Sequence, residues 1–255
     1  IGNPKKISNY FNKNIIYNFR QNDLNFGGEG APLAPIYHAF IIDSLKIEFP
    51  TCFINIGGIA NLTYWDGENL IGFDTGPGNC LMDKITQKKF NLLFDKNGKK
   101  ASSGKLNSKL LRILLKDKFF FKPPPKSLDK SYFDHYLELN FFRNIYIDDI
   151  LTTLAEFTVQ SIINSFNYLP QYPKNLIFSG GGAKNLFLMR KLKQNTNANH
   201  INLKKNNISL DYIESELIGF LAARSFYELP ITFPKTTGIT KPLSGGVHYN
   251  PIRNL

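Results

Sequence analysis

The sequence predicts an α/β fold in which two glycine turns open onto one crevice. Three observations carry that reading. An apolar, β-branched run ending in glycines occurs twice, at Ile54–Gly58 and at Leu176–Gly182. The first run belongs to a hairpin: Phe53 leads up to Gly58, Leu62 to Trp65 follow, Asp66-Gly67 reverses the chain, and Leu70 returns it to Asp74. Asp-Gly between two strand-like runs is a strong hairpin signal. Helical spacing fills the sequence between the two strand–glycine units, and such alternation places ligands outside strand ends at one sheet edge.

The elements follow in order. Residues 1–50 begin with a polar lead and a Gly27–Pro35 loop. A helix then opens at Ile36, behind a proline. Residues 51–74 are the hairpin. Residues 79–93 read as a helix with Leu81, Ile85 and Phe90 on one face, and 94–104, polar and holding Gly98 and Gly104, as a loop. Leu106, Leu110, Leu111, Ile113 and Leu114 predict a helix over 106–118. Pro123-Pro124-Pro125 stops it, because proline lacks the donor a helix interior needs. Asp148–Phe166 is the longest helical pattern, Asn175–Phe178 a short buried strand, and Leu186–Leu192 a helix. Ile213–Tyr227 is apolar on most sides and is expected to be buried. Residues 230–255, rich in Pro and Gly, are expected to be irregular.

Composition narrows the function. A chain of 255 residues at 42% hydrophobic can bury a full core. No apolar run approaches the ~18–20 residues of a membrane helix, and Ile1–Tyr10 lacks the apolar stretch of a signal peptide. A cytoplasmic protein with no membrane partner is expected. Cys52 and Cys80 have no metal spacing, and His38, His135, His200 and His248 are scattered, so no metal ligands are assigned. The net charge of +11 raises nucleic acid as a partner. Only six of the 31 basic residues are Arg, the preferred reader of phosphates and base edges. The lysines are dispersed, with short pairs at Lys5-Lys6, Lys88-Lys89, Lys99-Lys100 and Lys204-Lys205. No nucleic-acid partner is therefore expected.

The glycine turns carry the chemistry. Gly57 and Gly58 let a phosphate approach bare backbone, and Asp74, at a strand end beside a second glycine turn, can move a proton. The plainer alternative is a tight turn plus an Asp capping the helix near Leu81. Ser179-Gly180-Gly181-Gly182-Ala183 after a strand suits a nucleotide, with the next helix offering its N-terminal N–H groups. It is not a Walker A loop, and a simple strand-to-helix turn is its alternative. Asp83 reads as a solvated or capping group. Glu214 opens a helix, where the dipole is reason enough for it, with a place in the site as the other reading. Thr152, Thr153 and Glu156 are assigned to helix packing and surface. Lys122–Ser127 is either a loop over substrate or a rigid surface turn.

Seven stretches, in order, resemble the anhydro-N-acetylmuramic acid kinases of the sugar kinase, Hsp70 and actin superfamily. They are Gly27–Leu33, Ile54–Leu62, Gly72–Asn79, Leu81–Asp83, Pro124–Ser127, Ser179–Ala183 with Asn185, and Glu214–Arg224. The resemblance implies an actin-like ATPase (ribonuclease H-like) fold. Residues 1–50 would be a remnant of an N-terminal domain with a sugar-side loop, and 51–255 the C-terminal domain. It implies ATP and Mg²⁺ as cofactors, an amino sugar as substrate, and a homodimer. The implied reaction phosphorylates O6 of 1,6-anhydro-N-acetylmuramic acid while water opens the anhydro bridge, in cell-wall recycling.

Carried over by position, Asp74 resembles the base that activates this water. Gly57, Gly58 and Asn61 resemble the second phosphate loop, and Gly180, Gly181 and Gly182, with Asn185, the adenosine loop. Arg20 and Asp23 fall in the family's Asp-Phe-Arg-x-x-Asp stretch, here begun by Asn18, and with Gly72 and Thr75 are its implied substrate contacts. Lys130 stands where related sequences carry Arg, which keeps the charge and loses the bidentate fork. The Gly-Thr-Ser-Leu-Asp-Gly type of phosphate loop is not found in these 255 residues. The larger part of a kinase is thus expected, with a catalytically inactive remnant that binds nucleotide or a partner chain as the alternative.

Overall fold

The computed structural model describes residues 2–138, 142, 144–203, 208 and 212–251; the Lys204-Lys205 pair lies outside the described residues. Its centre is a five-stranded sheet built from β2 (Thr51–Ile56), β3 (Ile59–Trp65), β4 (Leu70–Pro77), β5 (Asn175–Ser179) and β6 (Asn199–Ile201). The order is β4-β3-β2-β5-β6. β2, β3 and β4 are antiparallel neighbours, whereas β5 runs parallel to β2 and β6 parallel to β5. Counted within the sheet, this is order 3-2-1-4-5, the ribonuclease H-like arrangement the resemblance implies. The hairpin extends to Pro77 and turns at Asp66-Gly67. There the Asp66 carboxylate accepts the Glu68 and Asn69 N–H groups, and Gly67 sits at φ 95°.

The longest helix, α8 (Ile147–Ser165), crosses one face of the sheet. Ile150, Leu151, Leu154, Phe157 and Ile162 are buried there with Ile54, Ile56, Leu62 and Phe73. On the other face, Ile41 and Ile42 of α3 (Pro35–Ser44) pack with Phe53 and Ile177. The alternation of side chains along each strand makes both faces apolar, as a sheet between helical layers requires.

Other elements sharpen or correct the sequence reading. The polar lead holds α1 (Pro4–Phe11), whose first turn is capped by Asn3 accepting the Lys6 N–H. A short strand β1 (Ile15–Tyr17) pairs antiparallel with β7 (Val247–Tyr249), so the expected irregular tail supplies a strand. That tail also contains α11 (Pro234–Thr237). Between β1 and α3 lies α2 (Gln21–Asn25). α4 (Cys80–Phe90) ends at Asn91 in the left-handed conformation.

The expected 94–104 loop contains α5 (Lys99–Ser103). Asp95 accepts the Lys100 and Ala101 N–H groups, which holds this turn against α8. α6 (Ser108–Leu114) is capped by Asn107, and α7 (His135–Glu138) leads toward α8. Thr152, Thr153 and Glu156 are all buried, so Glu156, ion-paired to Lys191, is not a surface group. α9 is Leu186–Gln194 and α10 is Ile213–Phe226.

α10 corrects an expectation. Only Leu221 and Ser225 are buried along it, and Ile218 and Phe226 are more than half exposed. Leu221 sits in a small core with Phe19 and Ile231, and Ile213, Leu217 and Phe220 pack at the rim of the Phe53–Ile177 cluster. Ile213, Leu217, Ile218 and Leu221 also line an open cavity. No helix among the described residues is long and apolar enough to cross a membrane.

Candidate active site

Strand register builds the site. Asp74 on β4 pairs with Asn61 on β3, Asn61 with Asn55 on β2, and Asn55 with Ser179 on β5. Residues in register share a face, so four polar side chains form a row across four strands. The β3–β4 register shifts between Ala60 and Asn61, and such bulges commonly re-aim a side chain. Ser179 Oγ donates to Asn55 Oδ1 at 3.2 Å. All four residues line one cavity of about 590 Å³.

The other walls of this cavity come from distant parts of the chain. Arg20, the 31–34 loop, Tyr37 and His38 approach from the N-terminal side, Ser127 from the proline-rich segment, and Glu214 from the start of α10. Arg20 Nη1 donates to the Gly30 carbonyl at 2.9 Å, which fixes the guanidinium at the cavity rim. His38 is buried, stacked on Phe53 at 3.8 Å, with Nδ1 2.8 Å from Thr63 Oγ1. Burial pushes its pKa down to about 3, so the ring is neutral across the working range.

Asp74 is gripped from one side. Its backbone N–H donates to the Lys126 carbonyl at 3.0 Å, and its Oδ2 accepts the Leu128 N–H at 2.7 Å. Desolvation raises its pKa from 3.8 to about 6, and the Leu128 hydrogen bond opposes that rise. A carboxylate poised there is ionised at neutral pH and basic enough to take a proton.

A second cavity, about 460 Å³, lies at the same edge of the sheet. Asn79, Met82 and Asp83 from the start of α4, Phe94 to Asn97, and Gly181, Lys184 and Asn185 line it. The two glycine turns meet beside it. Gly57 and Gly58 carbonyls accept the N–H groups of Asn79, Gly78 and Cys80, and Asn79 Nδ2 donates to the Ile56 carbonyl at 3.2 Å. At Gly180, φ is +78°, and a Cβ would stand 2.5 Å from Asn55 Oδ1 and 2.7 Å from the Ile56 carbonyl oxygen. Only glycine lets the two turns come this close. Desolvation also raises Asp83, to about 6.

Not every residue singled out in the sequence reaches a cavity. Asp23 is buried at 1% exposure, with Oδ2 accepting the Gly30 N–H and Oδ1 the Thr237 hydroxyl. It holds the loop that fixes Arg20 and has no free oxygen for a sugar. Gly72 is packed against Pro32 and Pro35, and Thr75 is buried, donating to the Ala60 carbonyl. These three lie outside the lining of both cavities, as do Gly57, Gly58, Gly180 and Gly182; of the assigned glycines only Gly181 lines the second. Asn61 lines the first cavity beside Asp74 rather than the second.

Asn185 lines the second cavity while capping a helix. Its Oδ1 accepts the Phe187 and Leu188 N–H groups, so the start of α9 is already capped by its own chain. Asn55 and Ser179 were missed, although a polar residue inside the apolar Ile54–Ile56 run was a usable signal. Asp83, read from the sequence as a solvated or capping group, lines the second cavity, and Glu214, left between two readings, lines the first.

A carboxylate in a cavity, with glycine turns beside the next opening of the same sheet edge, is the arrangement of an α/β enzyme with room for two small ligands. Comparison with known proteins gives the family. The anhydro-N-acetylmuramic acid kinase model matches residues 1–251, and the chain belongs to that family. It is 40% identical over 257 aligned residues to the anhydro-N-acetylmuramic acid kinase of Pelagibacter ubique, covering 97% of this chain and 68% of that one. It is 36% identical to the same-named protein of Bradyrhizobium diazoefficiens, covering 98% and 68%. Among solved structures, the activator of 2-hydroxyisocaproyl-CoA dehydratase from Clostridium difficile, with bound ADPNP, aligns at a TM-score of 0.44 and 15% identity, over 71% of this chain and 63% of that one. That likeness is too slight to carry an argument.

Proposed function

We propose that this chain is an ATP-dependent kinase that converts 1,6-anhydro-N-acetylmuramic acid to N-acetylmuramic acid 6-phosphate, opening the anhydro bridge with water, in cytoplasmic recycling of cell-wall sugars. Family membership supports the substrate class. The observation that carries the mechanism is Asp74: a desolvated carboxylate of pKa about 6, held inside β4 rather than at the strand end expected from the sequence, in the larger cavity beside the one that suits a nucleotide.

In this reading the sugar occupies the first cavity. Asp74 takes a proton from the water that attacks C1. The C1–O6 bond breaks, O6 takes the γ-phosphoryl group, and ADP leaves. Asn55, Asn61 and Ser179 offer hydrogen bonds to ring substituents, and Arg20 offers its charge to the lactyl carboxylate. Residues 1–50 thus contribute the sugar-side wall and 51–255 the sheet and nucleotide crevice. The base lies over the second cavity, against Met82 and Phe94, with the backbone of Gly180–Gly182 beside it.

The family implies Mg²⁺. Among the described residues no three Asp, Glu, His or Cys side chains cluster to cage a metal. Mg²⁺ usually keeps several waters and binds phosphates plus one or two protein oxygens, and Asn61 beside Asp74 is one of the neutral oxygen donors lining the first cavity. The ion, when bound, neutralises charge on the transferring phosphoryl group.

The direct assay incubates the full-length protein, with the first phosphate loop present, with the anhydro sugar, ATP and Mg²⁺ and follows the products by mass. The 6-phosphate with one added water is expected. Phosphorylation without ring opening would contradict the role given to Asp74.

A further inference from the structure

We propose that Lys126 is a positioning residue: its ammonium, plugged into a box of aromatic rings beneath the sheet edge, anchors the segment that orients the Asp74 carboxylate. The inference rests on Asp74 being the base. The segment 126–128 grips Asp74 twice, through the Lys126 carbonyl on its N–H and through the Leu128 N–H on Oδ2. Between those two contacts, Ser127 lines the sugar cavity and its hydroxyl donates to Glu29 Oε2 at 3.1 Å. The position of this short segment therefore decides where the carboxylate points.

Lys126 is what ties the segment to the core. It is 3% exposed. Nζ lies 4.5 Å from the ring centroids of both Phe119 and Tyr168 and 5.9 Å from that of Phe73, the residue preceding Asp74. Nζ donates to the Phe119 carbonyl at 3.3 Å, and no carboxylate pairs with it among the described residues. Tyr168 is itself fixed by donating its hydroxyl to the Phe120 carbonyl at 2.6 Å. Burying a cation without a counter-ion is costly, and an apolar side chain would fill the box at less cost. What the cation adds is direction: ring faces and one carbonyl hold it at a single point. Burial, with Lys122 nearby, pushes its pKa down to about 8, so it is still charged at neutral pH.

The test compares Lys126→Met, which keeps length and loses charge, with Lys126→Arg, which restores a cation that stacks on rings. Amide hydrogen exchange by NMR on the full chain is read first. The Asp74 and Leu128 amides are expected to exchange at least tenfold faster in the Met variant, with Ile54 and Ile177 unchanged, and to recover in the Arg variant. Wild-type exchange at both amides in the Met variant would overturn the proposal. Turnover is read second. The Met variant should lose kcat at least tenfold with nucleotide affinity within twofold of wild type, and should lose nothing further in an Asp74→Asn background. Losses that multiply in the double variant would mean that Lys126 does not act through Asp74. Full turnover by Asp74→Asn alone would refute the base and leave the exchange result to decide the anchoring. Lys126→Gln serves the same comparison if the Met variant does not fold.

Discussion

The two cavities at the sheet edge are built by different means. The larger is made from strand interiors: Asp74, Asn61, Asn55 and Ser179 stand in register on four neighbouring strands, and walls from residues 18–38, 127 and 213–221 close around them. The smaller is made from turns and helix starts: Gly181, Lys184 and Asn185 after β5, the Asn79 end of α4 and the 94–97 segment. A row on strands is rigid and presents side chains, which suits orientation of a reacting water and a sugar. A set of turns presents backbone and open space, which suits a flat base and phosphates. In the proposed function the first carries the chemistry and the second holds the nucleotide.

The largest expected effect separates the cavities by pH. Asp74 must be ionised to act, and its pKa is raised to about 6. Turnover should therefore fall as pH drops below about 6, about tenfold per unit, approaching a hundredfold near pH 4. Asp83 also sits near 6 but lines the other cavity, so Asp83→Asn should leave this acid limb in place. His38, held near 3, adds no inflection above pH 4. A limb that disappears with Asp83→Asn would reverse the assignment of the two cavities.

Gly180→Ala comes next. A methyl group there meets Asn55 Oδ1 and the Ile56 carbonyl, in a backbone conformation that side chains avoid. A stability loss of about 1–3 kcal/mol and at least tenfold weaker nucleotide binding are expected, measured by denaturant melts and calorimetry. Because Asn55 belongs to both regions, this variant should also raise the sugar KM, by a smaller factor. Arg20→Ala should act on one cavity only. A rise of about tenfold in the sugar KM with the nucleotide Kd unchanged is expected in steady-state assays, and equal changes in both would deny the sugar contact.

Asn185→Ala is the smallest. It removes the cap from α9 and should cost about 1 kcal/mol of stability. Its uncapped N–H groups face the nucleotide side, so nucleotide affinity should hold or improve slightly. A large affinity loss without a stability loss would return Asn185 to the role of direct ligand.

The same contrast explains what could be read from the sequence. Glycines mark the turns beside the smaller cavity locally and made them legible, but of Gly57, Gly58 and Gly180–Gly182 only Gly181 lines it. Asp74 was legible for the same reason, sitting between Gly72 and Gly76. The strand-built cavity was less so, because Ser179 joins Asn55, Asn61 and Asp74 only through the pairing of β5 with β2, and it lies 124 residues from Asn55 in the chain. Asp23 shows the opposite failure. Its place beside Arg20 suggested a shared ligand, but a hydroxyl 214 positions away and a loop N–H take its carboxylate. α10 misled because apolar composition on several sides signals burial, whereas the helix spends part of that surface on a cavity wall. The fold itself was readable, since the hairpin, the long α8 pattern and the two strand–glycine units are local signals that also set the sheet order.

The central claim, chemistry in one cavity and nucleotide in the other, is tested most directly by Asp74→Asn. The rate of ATP-dependent phosphorylation and the nucleotide Kd are measured on the same preparation. A loss of at least about 100-fold in turnover, with the nucleotide Kd within about twofold of wild type, is expected. Near-normal turnover, or a nucleotide affinity that falls in step with the rate, would contradict the division between the two cavities.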